Sequence, residues 1–413
     1  MAATAGPDII EDGIVFYYDT GNTVKSFIGE PTENLFGTTA MAFQSDYPDF
    51  TSYIQNGSDS IGNYIIKDTV NAPWYTGLRV RDNGVRPLTT GVPYVVSFEC
   101  QSPQHGWSWS LDSNQYGGDW DGNDSGRTSF TNLTFISTGG TTYTQDMVNT
   151  WQKVQYVVYM KSWSGGSPTA YPLDSFFPDA NNIKIYYRNP QMEVSKTHAT
   201  QYTPTSRSVT QGLLDMARNS TVNLTDVSFN STAQITFDGT NDYINVPYNS
   251  TQNLTNQGTV SVWIYPFLTT QGSFAGLVAQ CTGGSVNTQA YQLSWRQISG
   301  AMYGAICNGS GTYNEIYGTL PTVANTWYNI VFTWNGSQLN MYNNGTLIGT
   351  TTQTINNQVL TTDLTIGGYT YKGAGGAGEY FNGKIANVEI YNRGLTASEV
   401  LTNYNALKTR FGI

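Results

Sequence analysis

The sequence predicts an all-β fold: two β-sandwich (jelly-roll) domains and one short C-terminal helix. Three observations carry this. Segments of seven to fourteen residues rich in β-branched and aromatic side chains recur along the chain, each bounded by Gly, Asn or Pro. Charged residues make up only 12% of the 413 while aromatics reach 14%, so the polarity comes from Asn, Thr, Ser and Gly, which suit sheet surfaces and turns. A helical period is missing from almost the whole chain, and many short strands separated by turns pack as sandwiches.

In chain order, the strand candidates are "GIVFYYD" (13–19), "PYVVSFECQ" (93–101), "WQKVQYVVYM" (151–160), "NIKIYYRNPQME" (182–193), "GTVSVWIYP" (258–266), "WYNIVFTWNG" (327–336), "QLNMYNNGTLIGTT" (338–351) and "GKIANVEIYNR" (383–393). Asn344-Gly345 lies between two apolar runs, the composition of a two-residue hairpin turn. The helix is expected over 396–408. Thr396 and Glu399 have capping-box spacing, Leu395 and Val400 are placed as a hydrophobic staple, and Val400, Tyr404 and Leu407 share a face. It is expected to pack on the end of a sheet. Residues 206–230 are polar and weakly patterned and read as a junction between two sandwiches.

The net charge of −10 and the lack of any Lys/Arg cluster exclude a nucleic-acid partner. No run of about 18 apolar residues offers a membrane-spanning helix. The start, "MAATAGPDIIEDG", has neither the basic residues nor the apolar run of a secretory signal, so the protein is expected to be made in a cytoplasm. Cys100, Cys281 and Cys307 are too few and scattered for a disulfide framework and read as reduced thiols.

The last 180 residues resemble a laminin-G-like (concanavalin-A-like) jelly roll of the type found in bacteriophage virions. The matching stretches are "FDGTNDYINVP" (237–247), "GTVSVWIYP", "WYNIVFTWNG", "LNMYNNGTLIG", "LTIGG" (364–368) and "YFNGKIANVEIYNRGLTASEVLTNYNAL" (380–407), with the terminal "RFGI". Residues 13–31 look like the first strand and loop of the same jelly roll. Residues 32–205, with "GVPYVVSFECQ" and the ending "NPQMEVSKTHATQYTPT", resemble a carbohydrate-binding-module β-sandwich. The resemblance implies an N-terminal arm (1–12), a discontinuous jelly roll (13–31 and 206–413) and a sandwich (32–205) inserted at a loop, where closely spaced ends tolerate insertion. Two sandwiches in tandem behind a strand-like arm is the other arrangement. The resemblance further implies a non-enzymatic virion-surface protein, a capsid decoration, fibre or tail-associated subunit. It would be assembled with other virion proteins in the host cytoplasm, as a homo-oligomer such as a trimer, and would present glycan-binding folds to host or environmental polysaccharide. A secreted lectin or accessory module of a glycanase is the alternative, and a tail depolymerase a third. The arm, with Ile9 and Ile10, is expected either to touch the virion or a neighbouring subunit or to fray.

Catalytic signals are weak. There are two histidines, His105 and His198, no Gly-x-Ser-x-Gly elbow, and no strand with alternating acids; Glu389 is alone on its strand and reads as solvent-facing. Sugar recognition needs exposed aromatic faces with polar groups beside them. Trp74, Tyr75, Trp107, Trp109, Tyr116, Trp120 and Trp163 are the candidates, with core packing the competing reading for Trp107 and Trp109. Trp263, Trp327 and Trp334 are expected in the core, as the resemblance implies. No cofactor is required; structural calcium is the one considered. Its candidate ligands are Asp119, Asp121, Asn123 and Asp124 in "GGDWDGNDSG", and Asp238 and Asp242 around Gly239. For the second pair a carboxylate-capped turn is the competing reading.

Overall fold

The computed structural model describes residues 9–36, 54–67, 78–80, 92–111, 142–143, 145–159, 173–178, 182–194, 196, 198–281, 289–307, 312–355, 359–368 and 379–413. The chain forms two compact units, one drawn from Met1–Pro31, Ser208–Asn230 and Gln234–Ile413, the other from Thr32–Arg207 with Ser231–Ala233.

The first unit is a sandwich of two antiparallel sheets. The larger has the described strands Ser228–Phe229, Ile235–Asp238, Asn382–Tyr391, Gln257–Pro266, Tyr328–Asn335, Gln338–Asn343 and Thr346–Thr352, in that order. The strand Ile14–Asp19 shares one edge of Asn382–Tyr391 with Ile235–Asp238. It pairs along residues 387–391, while Phe237 and Asp238 pair with Gly383 and Asn382. The smaller sheet runs Ile244–Val246, Leu364–Ile366, Ala275–Cys281, Gln289–Arg296, Ala301–Cys307, Tyr313–Thr319.

Alternation along each strand builds the core. Val260, Val262 and Ile264 point inward with Ile330, Phe332 and Trp334, and meet Tyr291, Leu293, Trp295, Met302, Ile306 and Ile316 from the smaller sheet. The hairpin at Asn344-Gly345 forms as its composition demands: both residues have positive φ (51° and 74°), and Asn343 pairs with Thr346 across a two-residue loop. Gly367 meets a second requirement. Its φ is +82°, and a Cβ there would lie 2.2 Å from the Phe237 ring.

The outward face of the larger sheet is also buried. The helix Ala397–Leu407 begins with the expected capping box, Thr396 accepting from the Glu399 amide and Glu399 accepting from the Thr396 amide. It lies on the face of the sheet and not on its end. Val400 and Leu395 pack on Val331, Tyr342 and Tyr391, while Ala406 and Leu407 pack on Trp263. Trp263 therefore belongs to this second core, stacked on Phe411 at 4.1 Å, with the half-buried Trp327 beside it; of these three expected core tryptophans Trp334 alone sits between the sheets, where Trp295 joins it. Ile9 and Ile10 pack against the same two clusters, so within the described residues the arm is engaged with its own C-terminal helix. Asn403 accepts from the Ile10 amide at 2.8 Å and fastens it there.

Among the described residues, the second unit has a five-stranded sheet, Ile54–Ser58, Asn63–Lys67, Lys184–Val194, Pro93–Gln101, Gln152–Tyr159. It also has a four-stranded sheet, Leu78–Val80, Leu173–Pro178, Trp107–Leu111, Thr142–Tyr143, and the pair Thr32–Glu33 with Ser206–Arg207. The buried Glu193 carboxylate accepts from Thr32 Oγ1 and from both the amide and hydroxyl of Thr200, so the segment ends are hydrogen-bonded onto the long strand.

Candidate functional site

The strand Tyr313–Thr319 puts Ile316 and Gly318 toward the core and Tyr313, Glu315 and Tyr317 on the outer face of the smaller sheet. Ladder register aligns these with their neighbours. Tyr317 lies opposite Tyr303, which lies opposite Ser294. Glu315 lies opposite Ala305, and the row continues through Gln292 and Ala279 to Thr365. The small and amide side chains of this face, Ala279, Gln292, Ser294, Ala305 and Thr365, are buried, and an aromatic cluster at one side carries its exposed part.

That cluster is tied together by polar contacts. Tyr303 and Tyr317 rings are 5.2 Å apart. Both hydroxyls donate to Glu315, at 2.6 and 3.0 Å. The Arg296 guanidinium sits 4.5 Å from the Tyr303 ring and 5.2 Å from Phe274, and donates to the Tyr317 oxygen at 3.3 Å. Burial first, and then Glu315, raise both phenols above their ordinary range, so they are neutral donors across the physiological range. Tyr317 is 46% exposed and Phe274 38%, while Tyr303 is covered. Tyr317 and Phe274 are thus the exposed rings beside a hydrogen-bonded base of Arg296, Tyr303 and Glu315.

Nearby, burial pushes the Cys281 and Cys307 thiols up to about 12; the Glu379 charge adds to the first, the Cys281 and Glu315 charges to the second. Neither is a nucleophile at neutral pH.

The acids around Gly239 form a turn. Asp238 Oδ1 accepts from the Thr240 and Asn241 amides at 2.7 and 3.2 Å, and Asp242 Oδ2 accepts from the Asp238 amide at 3.0 Å. Gly239 supplies the φ of +78°. Burial raises the Asp242 carboxyl, and the Asp238 charge adds to this. Among the described residues no group of three or more His, Cys, Asp or Glu side chains is placed to hold a metal. Trp74, Tyr75, Tyr116, Trp120 and Trp163 lie outside the described residues, as do Asp119, Asp121, Asn123 and Asp124. Trp107 and Trp109 are on the strand Trp107–Leu111, opposite Tyr143 and Pro178.

Sequence reasoning missed Phe274, Arg296, Tyr303, Glu315 and Tyr317. One signal was legible, the spacing of Tyr313, Glu315 and Tyr317 at every second residue of "TYNEIYG". The partners from other strands were not.

Parts of the chain are similar to solved structures. The binding domain of Paraclostridial Mosquitocidal Protein 1 is 19% identical, with 47% of this chain and 49% of that one covered and a TM-score of 0.38. The Botulinum neurotoxin serotype D binding domain is 17% identical, covering 48% and 49%, TM-score 0.37. A Trypanosoma rangeli sialidase is 18% identical, covering 48% and 31%, TM-score 0.36. About half the length of each toxin domain, and less of the sialidase, is matched; likenesses this partial carry no functional argument. No curated protein sequence matches the chain. Residues 238–401, which include the whole smaller sheet and its aromatic cluster, match the model of the concanavalin A-like lectin/glucanases superfamily.

Proposed function

We propose that this protein is a non-catalytic glycan-binding protein that takes a saccharide on the outer face of the smaller sheet. One observation carries the reading: the exposed Tyr317 and Phe274 rings are held on a base of Arg296, Tyr303 and Glu315. A pyranose has an apolar face that stacks on such rings, while its hydroxyls find Glu315 and Arg296. The match of residues 238–401 to a lectin and glucanase superfamily supports it. The virion setting, as a decoration, fibre or tail-associated subunit in a homo-oligomer, rests on the sequence resemblance alone and belongs to the same proposal, as does calcium in the 119–124 loop. Immunogold labelling of particles tests the setting, and chelation before the binding assay tests the metal.

The direct test is a glycan array, followed by titration of the best ligand. Tyr317→Ala is expected to weaken binding about tenfold, the scale of one lost aromatic stacking face. Unchanged affinity in that variant removes the sheet face as the site.

A glycanase is the second reading, because the superfamily matched by residues 238–401 includes glucanases and Glu315 lies within the aromatic cluster. Release of reducing ends from the bound glycan, abolished in Glu315→Gln, would establish it.

A further inference from the structure

A second site is built elsewhere on the first unit, independent of the sheet face. A groove of about 860 Å³ runs between the start of the unit and the loop after Ser208. That size is in the range of small-ligand sites, about 300–1,000 Å³. Its floor is apolar, from Ile14, Leu213 and Met216, and hydroxyls of Ser220 and Thr221 line it.

Two cations border it, Lys25 and Arg218, with two acids, Asp215, engaged by backbone amides, and the exposed Glu11. Among the described residues neither cation has an ion-pair partner. Several other described cations are paired, Lys184 with Asp59, Arg188 with Glu99, Arg393 with Glu399 and Arg410 with Asp19, while Lys384 and Lys408 are near only the rings of Tyr265 and Tyr404. What distinguishes Lys25 and Arg218 is that both border one groove, in a chain of net charge −10.

The backbone is organised around one of them. Arg218 has φ +61°, a left-handed conformation that disfavours a long side chain. Of the described non-glycine residues with positive φ, all but Arg218 and Ala233 are asparagine. The turn is imposed by the buried Asp215, whose carboxylate accepts from the amides of Tyr17, Ala217, Asn219 and Ser220 at 2.9–3.0 Å. Asn219 adds a bond to the Val15 carbonyl at 2.9 Å. Turn geometry alone would be better served by glycine, so the guanidinium is the feature that the arginine contributes.

We infer that this groove binds an acidic saccharide of the uronate type, its carboxylate taken by Arg218 and Lys25. The apolar floor suits the ring face, and Ser220 and Thr221 suit the ring hydroxyls.

The test is calorimetric titration of the full chain with trigalacturonic acid and with its fully methyl-esterified form. The acid is expected to bind, more weakly as salt is raised, and the ester at least about tenfold more weakly. Arg218→Gly removes the guanidinium while relieving the left-handed residue. It is expected to hold or raise Tm and to lower affinity for the acid about tenfold. Lys25→Ala, at an exposed position, gives the same loss, and Tyr317→Ala gives none. No binding of the acid, equal binding of acid and ester, or affinity unchanged in both Arg218→Gly and Lys25→Ala overturns the assignment. Loss in Tyr317→Ala instead overturns it in favour of the sheet face.

Discussion

Glu389 is the residue whose chemistry departs most from its sequence context. As the only acid of "NVEIYN" it reads as solvent-facing, yet the helix covers it completely. Its Oε2 meets the Tyr391 hydroxyl at 3.1 Å and the Asn403 amide at 3.0 Å, while Oε1 is buried without a partner. Tyr391 has one proton and two oxygens to satisfy, Glu389 and the Ile10 carbonyl at 2.9 Å. A protonated Glu389 resolves this by donating to Tyr391, which then donates to Ile10. Burial correspondingly pushes the Glu389 carboxyl up to about 7; the two hydrogen bonds pull down and the Asp19 charge adds slightly upward. The folded pKa exceeds the unfolded one, so the native state holds the proton longer. Stability from this group is full below the unfolded pKa of about 4.3, falls as pH rises toward 7, and is then level. The total is on the order of 4 kcal/mol at about 1.4 kcal/mol per pKa unit. Glu389→Gln should flatten this part of the profile, so that urea midpoints at pH 5 and pH 8 differ less than in wild type. An identical pH profile in both would contradict a buried neutral acid.

The C-terminal helix shows how an element depends on both local and distant residues. Its first turn is locally specified by Thr396 and Glu399, and Arg393 adds a two-pronged contact to Glu399 at 2.8 and 3.1 Å. These contacts hold the Glu399 carboxyl down near 2, Arg393 contributing most. Thr396→Ala removes the cap and should cost about 1 kcal/mol in urea unfolding. The helix's seat is set elsewhere, by Trp263, Val331 and Tyr391 on the sheet face and by Ile9 and Ile10 alongside. Gly367 makes the corresponding point for a strand end. With φ +82° and Phe237 against its α-carbon, Gly367→Ala combines backbone strain with overpacking and should cost about 2–4 kcal/mol, read as a fall in Tm. Wild-type stability in that variant would mean Phe237 can move aside.

At the scale of the first unit, the two ends of the chain meet. Ile14–Asp19 lies on Asn382–Tyr391 and delivers Phe16 and Tyr18 to the core. Residues 208–413 expressed alone would leave that edge open and the core short of two large rings, so they should aggregate or melt far below the full chain. The amides of Ile28 and Gly29 both donate to the Gly212 carbonyl, at 2.8 and 3.2 Å, so the chain leaves and re-enters this unit at nearly one point. Replacing residues 32–207 by a short glycine linker should therefore give a folded protein with a cooperative melt. Failure to fold would show that the first unit requires the second.

What the sequence by itself determined is what neighbours along the chain specify: eight strand segments, the Asn344-Gly345 hairpin and the capping box, though not the strands Ala275–Cys281, Gln289–Arg296, Ala301–Cys307 and Tyr313–Thr319 of the smaller sheet. Each rests on side-chain alternation or on hydrogen bonds spanning a few residues, which survive any change of partner. Tertiary structure alone decided which strands are adjacent and what covers their outer faces. That placed Tyr303 beside Tyr317, brought Arg296 over the Tyr303 ring and onto the Tyr317 hydroxyl, put the helix on the sheet face instead of its end, and turned Glu389 from an expected surface acid into a buried one with a raised pKa. The physical reason is that cross-strand neighbours follow from ladder register between segments far apart in the chain, and burial follows from what packs above them. Neither quantity is written in the residues next door.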